Sequence, residues 1–229
     1  MSVRRILEKS ICFPIPQDRS LPIFTIIESV RVWMLSYPFP WLWDMNYDAG
    51  EYLNNSVDPL FSVMPQASIL TVSSHGGPGF VVCPDPHSEY APRYTWLTGK
   101  KYAACSYYSR ALEEQSTLTK TKLMIFASCQ SALSSNEYGS LLTEAVNRGA
   151  DAALGWKVEI PANIESNNVT SHWMQYFFEA CYFLHSDVET AAKTAFTRLK
   201  SEFPLETDAV EALGKYFVYA KANTTITIY

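Results

Sequence analysis

Two residues of this 229-residue chain are of the right types and spacing to do acyl-transfer chemistry together, His75 and Cys129. A thiol is a poor nucleophile until it ionises. A neighbouring imidazole both favours the thiolate and later protonates the leaving amine. Gly76 directly follows the histidine. Its unshielded N–H can approach a substrate carbonyl and, with the N–H of Cys129, hold the oxyanion that forms there.

Neither residue is informative alone. A cysteine at the end of a core strand is more often a small hydrophobe than a nucleophile, and a histidine in a glycine-rich loop often only satisfies a turn. The pairing carries the chemistry. Around it lie weaker candidates for substrate contact: Trp156, with core and pocket wall equally open, and the loop acids Asp85, Glu89 and Glu159, which as exposed acids are more often just solvated. His172 and His185 flank an aromatic helix and read as surface or interhelical residues, and His87, in a proline-rich loop, has no identifiable partner. Cys12, Cys83, Cys105 and Cys181 show no spacing that resembles a zinc site, so no metal and no cofactor are expected.

The elements that must position the dyad are legible from about Ala67 onward. Ser68 to Ser74 is a short β-rich run that stops at His75-Gly-Gly-Pro-Gly79, which demands a tight loop. Lys122 to Ala127 is apolar without alternation, as expected of a strand buried on both faces of a parallel sheet, and it delivers Ser128 and Cys129 at its end. In an open parallel sheet functional groups gather beyond the carboxyl ends of strands. His75 and Cys129 are therefore expected to face each other there, from adjacent strands.

Further along, the pattern predicts a helix from about Glu137 to Arg148, ended by Gly149, and a strand at Ala152–Leu154. An aromatic helix through Trp173, Met174, Phe177, Phe178 and Cys181 follows. A capping box, Ser186-Asp-Val-Glu189, then opens a helix with Ala192, Ala195, Phe196 and Leu199 inward. Arg93 to Leu97 reads as a strand and Tyr102 to Gln115 as a helix. Prolines punctuate residues 1–60 and leave room for one strand or helix between Ile23 and Leu35. The sum is one α/β domain over residues 1–229, with helices on right-handed crossovers.

These residues, in this order, resemble the caspase-like cysteine peptidases, and within them the CHAT, clostripain and gingipain branches. The resemblance rests on Ser74-His-Gly-Gly-Pro-Gly79, Ala127-Ser-Cys-Gln-Ser131, Arg148-Gly-Ala-Asp-Ala-Ala-Leu-Gly-Trp156 and the two helices after them. It implies a three-layer sandwich with a mainly parallel central sheet. It also implies a cysteine endopeptidase in which His75 is the general acid/base, Cys129 the nucleophile, and Gly76 with Cys129 the oxyanion donors. One position departs from the pattern. Where the clostripain and metacaspase branches carry an Asp that reads a basic substrate side chain, this chain has Ala127, so basic specificity does not carry over from that site.

Two other classes compete. In one, His75-Gly-Gly-Pro-Gly79 is the oxyanion loop of an α/β-hydrolase-type esterase and Cys129 replaces its serine, which requires a downstream histidine such as His172 or His185. In the other, the fold is an inactive interaction or regulatory domain, and the intact dyad counts against that.

Composition narrows the partners. The net charge is -5 with no long run of like charge, which argues against nucleic acid or an anionic membrane and leaves protein or peptide substrates, with room for a regulatory protein partner. No apolar stretch reaches the length of a membrane span, and five widely spaced cysteines suit a reducing, cytoplasmic compartment better than a disulfide framework.

Overall fold

The computed structural model describes residues 22–27, 48–53, 57–85, 93–101, 109–161 and 169–221. Its centre is a six-stranded sheet of β1 (Pro22–Ile27), β2 (Asp48–Leu53), β3 (Ile69–Ser73), β8 (Leu123–Ala127), β9 (Ala152–Trp156) and β10 (Tyr216–Ala220). The strand order is β10-β9-β8-β3-β1-β2. Every pairing is parallel except β10 on β9. A smaller sheet of β4 (Gly76–Gly77), β5 (Phe80–Asp85), β6 (Arg93–Thr98) and β7 (Ser109–Ala111) is ordered β4-β5-β6-β7.

The central strands bury both faces, and their side chains divide by parity, as the two-residue repeat of a strand requires. Ile69, Leu123, Ile125, Leu154 and Trp156 pack with α3 (Val169–Phe183), α4 (Val188–Glu202) and α5 (Thr207–Leu213). Leu70, Val72, Met124, Phe126 and Ala153 pack on the other side with α1 (Val57–Val63), α2 (Leu141–Asn147) and the small sheet. This is the three-layer α/β sandwich expected from the sequence, and it explains why Leu123–Ala127 shows no polar alternation.

Several local expectations are corrected. The segment 109–115 is not helical: β7 is followed by a single 3-10 turn at Leu112–Glu114, and residues 102–108 lie outside the described region. The helix expected from Glu137 begins only at Leu141, because Ser135 and Gly139 bridge each other in a tight turn with Gly139 at φ 70°, and Ser140 then caps the helix by accepting from Thr143 N–H at 3.2 Å. The cap of α4 is Asp187, whose carboxylate accepts from Thr190 N–H at 2.9 Å, one residue later than the expected box. β2, the small sheet's connectivity, α5 and β10 carried no sequence expectation. Among the described residues no helix is long and apolar enough to cross a membrane.

Candidate active site

The site is built where β3 and β8 end side by side. Their register pairs Ser73 with Ala127, and Ser74 N–H continues the ladder to Ala127 O at 3.4 Å. His75 and Cys129 each stand two residues past that pair, so both strands release their candidate catalytic residue at one edge of the sheet.

On the histidine side the chain passes directly from β3 into β4, so His75 is the junction between the two sheets. Ser74 Oγ donates to Val82 O, and Val82 N–H donates to His75 O at 2.8 Å. The second bond fixes the peptide joining His75 to Gly76. Its carbonyl faces β5, so its N–H, on Gly76, points the opposite way across the planar trans peptide. The pairing of Gly76 with Val81 agrees: it is the non-hydrogen-bonded pair of that antiparallel ladder. The His75 side chain is exposed.

On the cysteine side a small set of buried bonds turns the chain sharply. The Ser131 hydroxyl donates to Phe126 O at 2.7 Å and accepts from Trp156 N–H at 3.1 Å, tying the loop to the ends of β8 and β9. Two such bonds are worth roughly 1–3 kcal/mol net. Gln130 adopts φ 53°, left-handed for a non-glycine residue, and donates its N–H to Val158 O at 2.9 Å. Gly155 is required beneath: a Cβ there would stand 2.7 Å from Ser131 Oγ and 3.1 Å from Ala132 N. Cys129 is half-buried, and its thiol donates a long bond to Ile160 O at 3.8 Å.

The two halves touch through Gly76 and Ser128. A Cβ on Gly76 would lie 2.9 Å from both Cβ and Oγ of Ser128 and 2.8 Å from Phe80 O. No other residue fits at 76 without moving backbone, so the neighbour of the candidate base rests on the neighbour of the candidate nucleophile.

The remaining candidates separate. Glu159 is exposed on the segment after β9, between Val158 and Ile160, whose carbonyls are held by Gln130 and Cys129. Asp85 ends β5 three residues past Val82, roughly 10 Å along the strand from the bond to His75. Glu89 and His87 lie outside the described residues. Trp156 is a correction: it is 0% exposed, its indole N–H donates to Leu213 O at 3.0 Å, and its ring packs edge-on against Trp173, so it is core and not pocket wall.

Cys83, Cys129 and Cys181 form no disulfide. Burial pushes the Cys181 thiol far up, with Asp187 adding to it, whereas Cys129 is the thiol that reaches the surface at a strand end. His172 bonds Tyr176 OH at 3.3 Å and packs on Phe203, and burial lowers its pKa. Among the described residues no group of three or more His, Cys, Asp or Glu could hold a metal ion. Ser74, Val82, Ser128 and Ser131 were not expected as site residues. The only sequence signal for the serines is their place immediately before His75 and on either side of Cys129.

No family profile matches the sequence, and no curated protein is significantly similar to it. Solved structures do match. The Arg-specific cysteine proteinase gingipain R aligns over 90% of this chain with a TM-score of 0.59 at 8% identity. The fold is similar to that of about half of gingipain R. A second structure, described only as a protease, aligns over 92% of this chain with a TM-score of 0.58 at 14% identity. This chain spans about half the length of each, 47% of the gingipain and 49% of the protease. At these identities the likeness is one of architecture, and the gingipain-like sheet carries Cys129 and His75 at the carboxyl ends of two neighbouring parallel strands.

Proposed function

We propose that this chain is a cysteine endopeptidase working through His75 and Cys129. The observation that carries the reading is the shared strand edge: the Ser73–Ala127 register and the packing of Gly76 on Ser128 bring the two loops into contact. The Cys129 thiolate attacks the scissile carbonyl carbon and forms a C–S bond. The oxyanion is held by the N–H groups of Gly76 and Cys129, the first aimed away from β5 by the Val82 bond. His75 as imidazolium gives its proton to the leaving amine as the C–N bond breaks. A water, deprotonated by the neutral imidazole, then hydrolyses the thioester and returns the thiol.

For specificity the reading favours a basic side chain before the scissile bond, with Glu159 as the candidate carboxylate because it lies between Val158 and Ile160, whose carbonyls accept from Gln130 N–H and the Cys129 thiol. Ala127, buried against the α3 side, supplies none. A carboxylate would select Arg by a bidentate pair, and gingipain R, which shares the fold, is described as Arg-specific. Asp85 and Glu89 are secondary candidates for the same role. The CHAT, clostripain and gingipain branches are the proposed affinity, in a reducing cytoplasmic setting with protein or peptide substrates and no nucleic acid or membrane. The esterase alternative is disfavoured because His172 is engaged by Tyr176 and Phe203 between α3 and α4.

A peptide library with free positions on both sides of the bond tests this directly. Cleavage concentrated after Arg and Lys, lost in both Cys129→Ala and His75→Ala, is expected. Cleavage after apolar residues alone would refute the basic preference while leaving the dyad in place, and no cleavage by the native chain would refute the endopeptidase reading.

A further inference from the structure

Among the described residues, Ser128 Oγ is a buried hydroxyl with no hydrogen-bond partner, and it belongs to the residue directly before the candidate nucleophile. Ser128 is 1% exposed. The large majority of buried side-chain polar atoms in folded proteins are paired, so an exception calls for an explanation. The serine's main chain is fully engaged, its N–H on Phe126 O at 2.9 Å and its carbonyl accepting from Ser131 N–H at 3.4 Å. The hydroxyl is therefore held in place by the turn while its proton is uncommitted.

Its neighbour is Gly76. Oγ would touch a Cβ built on that residue at 2.9 Å, so the hydroxyl packs directly against the Gly76 backbone. β4 is a terminal strand of the small sheet, and Gly76 forms a non-hydrogen-bonded pair with Val81. In such a pair the N–H and C=O of one residue both leave the strand on the side away from its partner. The Gly76 carbonyl is thus an acceptor that β5 does not use, beside a donor that nothing else uses.

We infer that Ser128 is a positioning residue whose hydroxyl bonds the Gly76 carbonyl only as the oxyanion develops, locking the Gly76 N–H onto it. The inference rests on the endopeptidase reading above. A bond made in the transition state and absent in the free enzyme raises kcat without changing KM. Being shut off from solvent, the hydroxyl acts through the glycine and does not touch substrate. Its loss should cost less than the hundredfold or more that follows removal of a direct oxyanion donor.

The test is Ser128→Ala, which removes only the uncommitted hydroxyl, read by steady-state kinetics, by inhibition with a peptide aldehyde that forms a tetrahedral adduct, by alkylation of Cys129 with iodoacetamide, and by thermal melting. The expected result is a fall in kcat of roughly tenfold with KM unchanged, an equal loss of aldehyde affinity, and no change in alkylation rate or melting temperature. Unchanged kcat and aldehyde affinity would overturn the inference, and so would losses that track a lowered melting temperature or a slowed alkylation, since those report a merely structural role. Failure of the reading beneath it looks different: the native chain itself would neither turn over peptides nor bind the aldehyde, and the inference would fall with it.

Discussion

At the scale of single residues, the three described cysteines make opposite predictions. Cys129 leaves the core at a strand end and is half-buried, whereas Cys181 is completely buried between helices and Cys83 is 1% exposed in the small sheet's core. Cys129→Ala should abolish turnover with a change in stability of less than about 0.5 kcal/mol, because its side chain fills little of the interior. Cys181→Ala should leave turnover intact and cost roughly 1 kcal/mol or more through the void it opens, as chemical denaturation will measure. The two also differ in reactivity. Burial raises the Cys181 thiol, so at neutral pH it should resist alkylation until the chain unfolds. A Cys181 that labels as fast as Cys129 in the native state would contradict the packing described.

At the scale of elements, the turn after β8 depends on one hydroxyl and one missing side chain. Gly155→Ala would push a methyl to 2.7 Å from Ser131 Oγ and 3.1 Å from Ala132 N. The backbone on both sides is fixed, so the Cys129 turn must move: activity should fall at least tenfold, and stability by about 1–3 kcal/mol, an overpacking cost. Wild-type kinetics in that variant would show that the clamp does not position Cys129. The α3–α4 contact predicts a pH effect instead. His172 packs against Phe203 and Tyr176, Tyr176 OH donates to Glu202, and Arg198 bonds Glu202 at 2.7 Å and Glu179 at 2.5 Å. Burial lowers the His172 pKa, with Glu202 opposing and Arg198 assisting. The folded state thus disfavours the imidazolium, and the unfolded chain takes up the proton first as pH falls below about 6.5. Stability should be full above that value and decline below it. Glu202, held below its ordinary range by Tyr176 and Arg198, loses its contribution only at still lower pH. His172→Gln should flatten the melting temperature between pH 7 and pH 5; an unchanged slope would place the titration elsewhere.

At the scale of the whole molecule, both described cores share the strands β3, β8 and β9, so the two sides of the sheet should unfold together. A single coincident transition by tryptophan fluorescence and far-ultraviolet dichroism is expected, and two separated transitions would mean independent units. What could be read from the chain follows the same geometry. Leu123–Ala127 and Ile69–Ser73 are central strands, and the uninterrupted apolar run of the first and the β-rich run of the second announced them together with the residues they deliver. β10 has an edge position and a mixed burial pattern, so Tyr216–Ala220 gave no comparable signal. β7 is only three residues long and β5 contains Pro84, which hid those strands of the small sheet, whereas Arg93–Leu97 read as a strand and is β6. The candidate pair His75 and Cys129 was legible because it depends on residue type at strand ends. Ser74, Ser128 and Ser131 were not, because their roles come from contacts between strands far apart in sequence. Trp156 was equally core or wall until β9 was seen to point it at α3 and Leu213.

The most direct test of the central claim is labelling of the native chain with a peptide-based electrophile, followed by mapping of the adduct. A single adduct on Cys129, abolished or slowed at least a hundredfold in His75→Ala while Cys83 and Cys181 stay unmodified, is the result predicted for a thiol activated by the imidazole across the strand edge. An adduct on another cysteine, or equal labelling of Cys129 with and without His75, would contradict it.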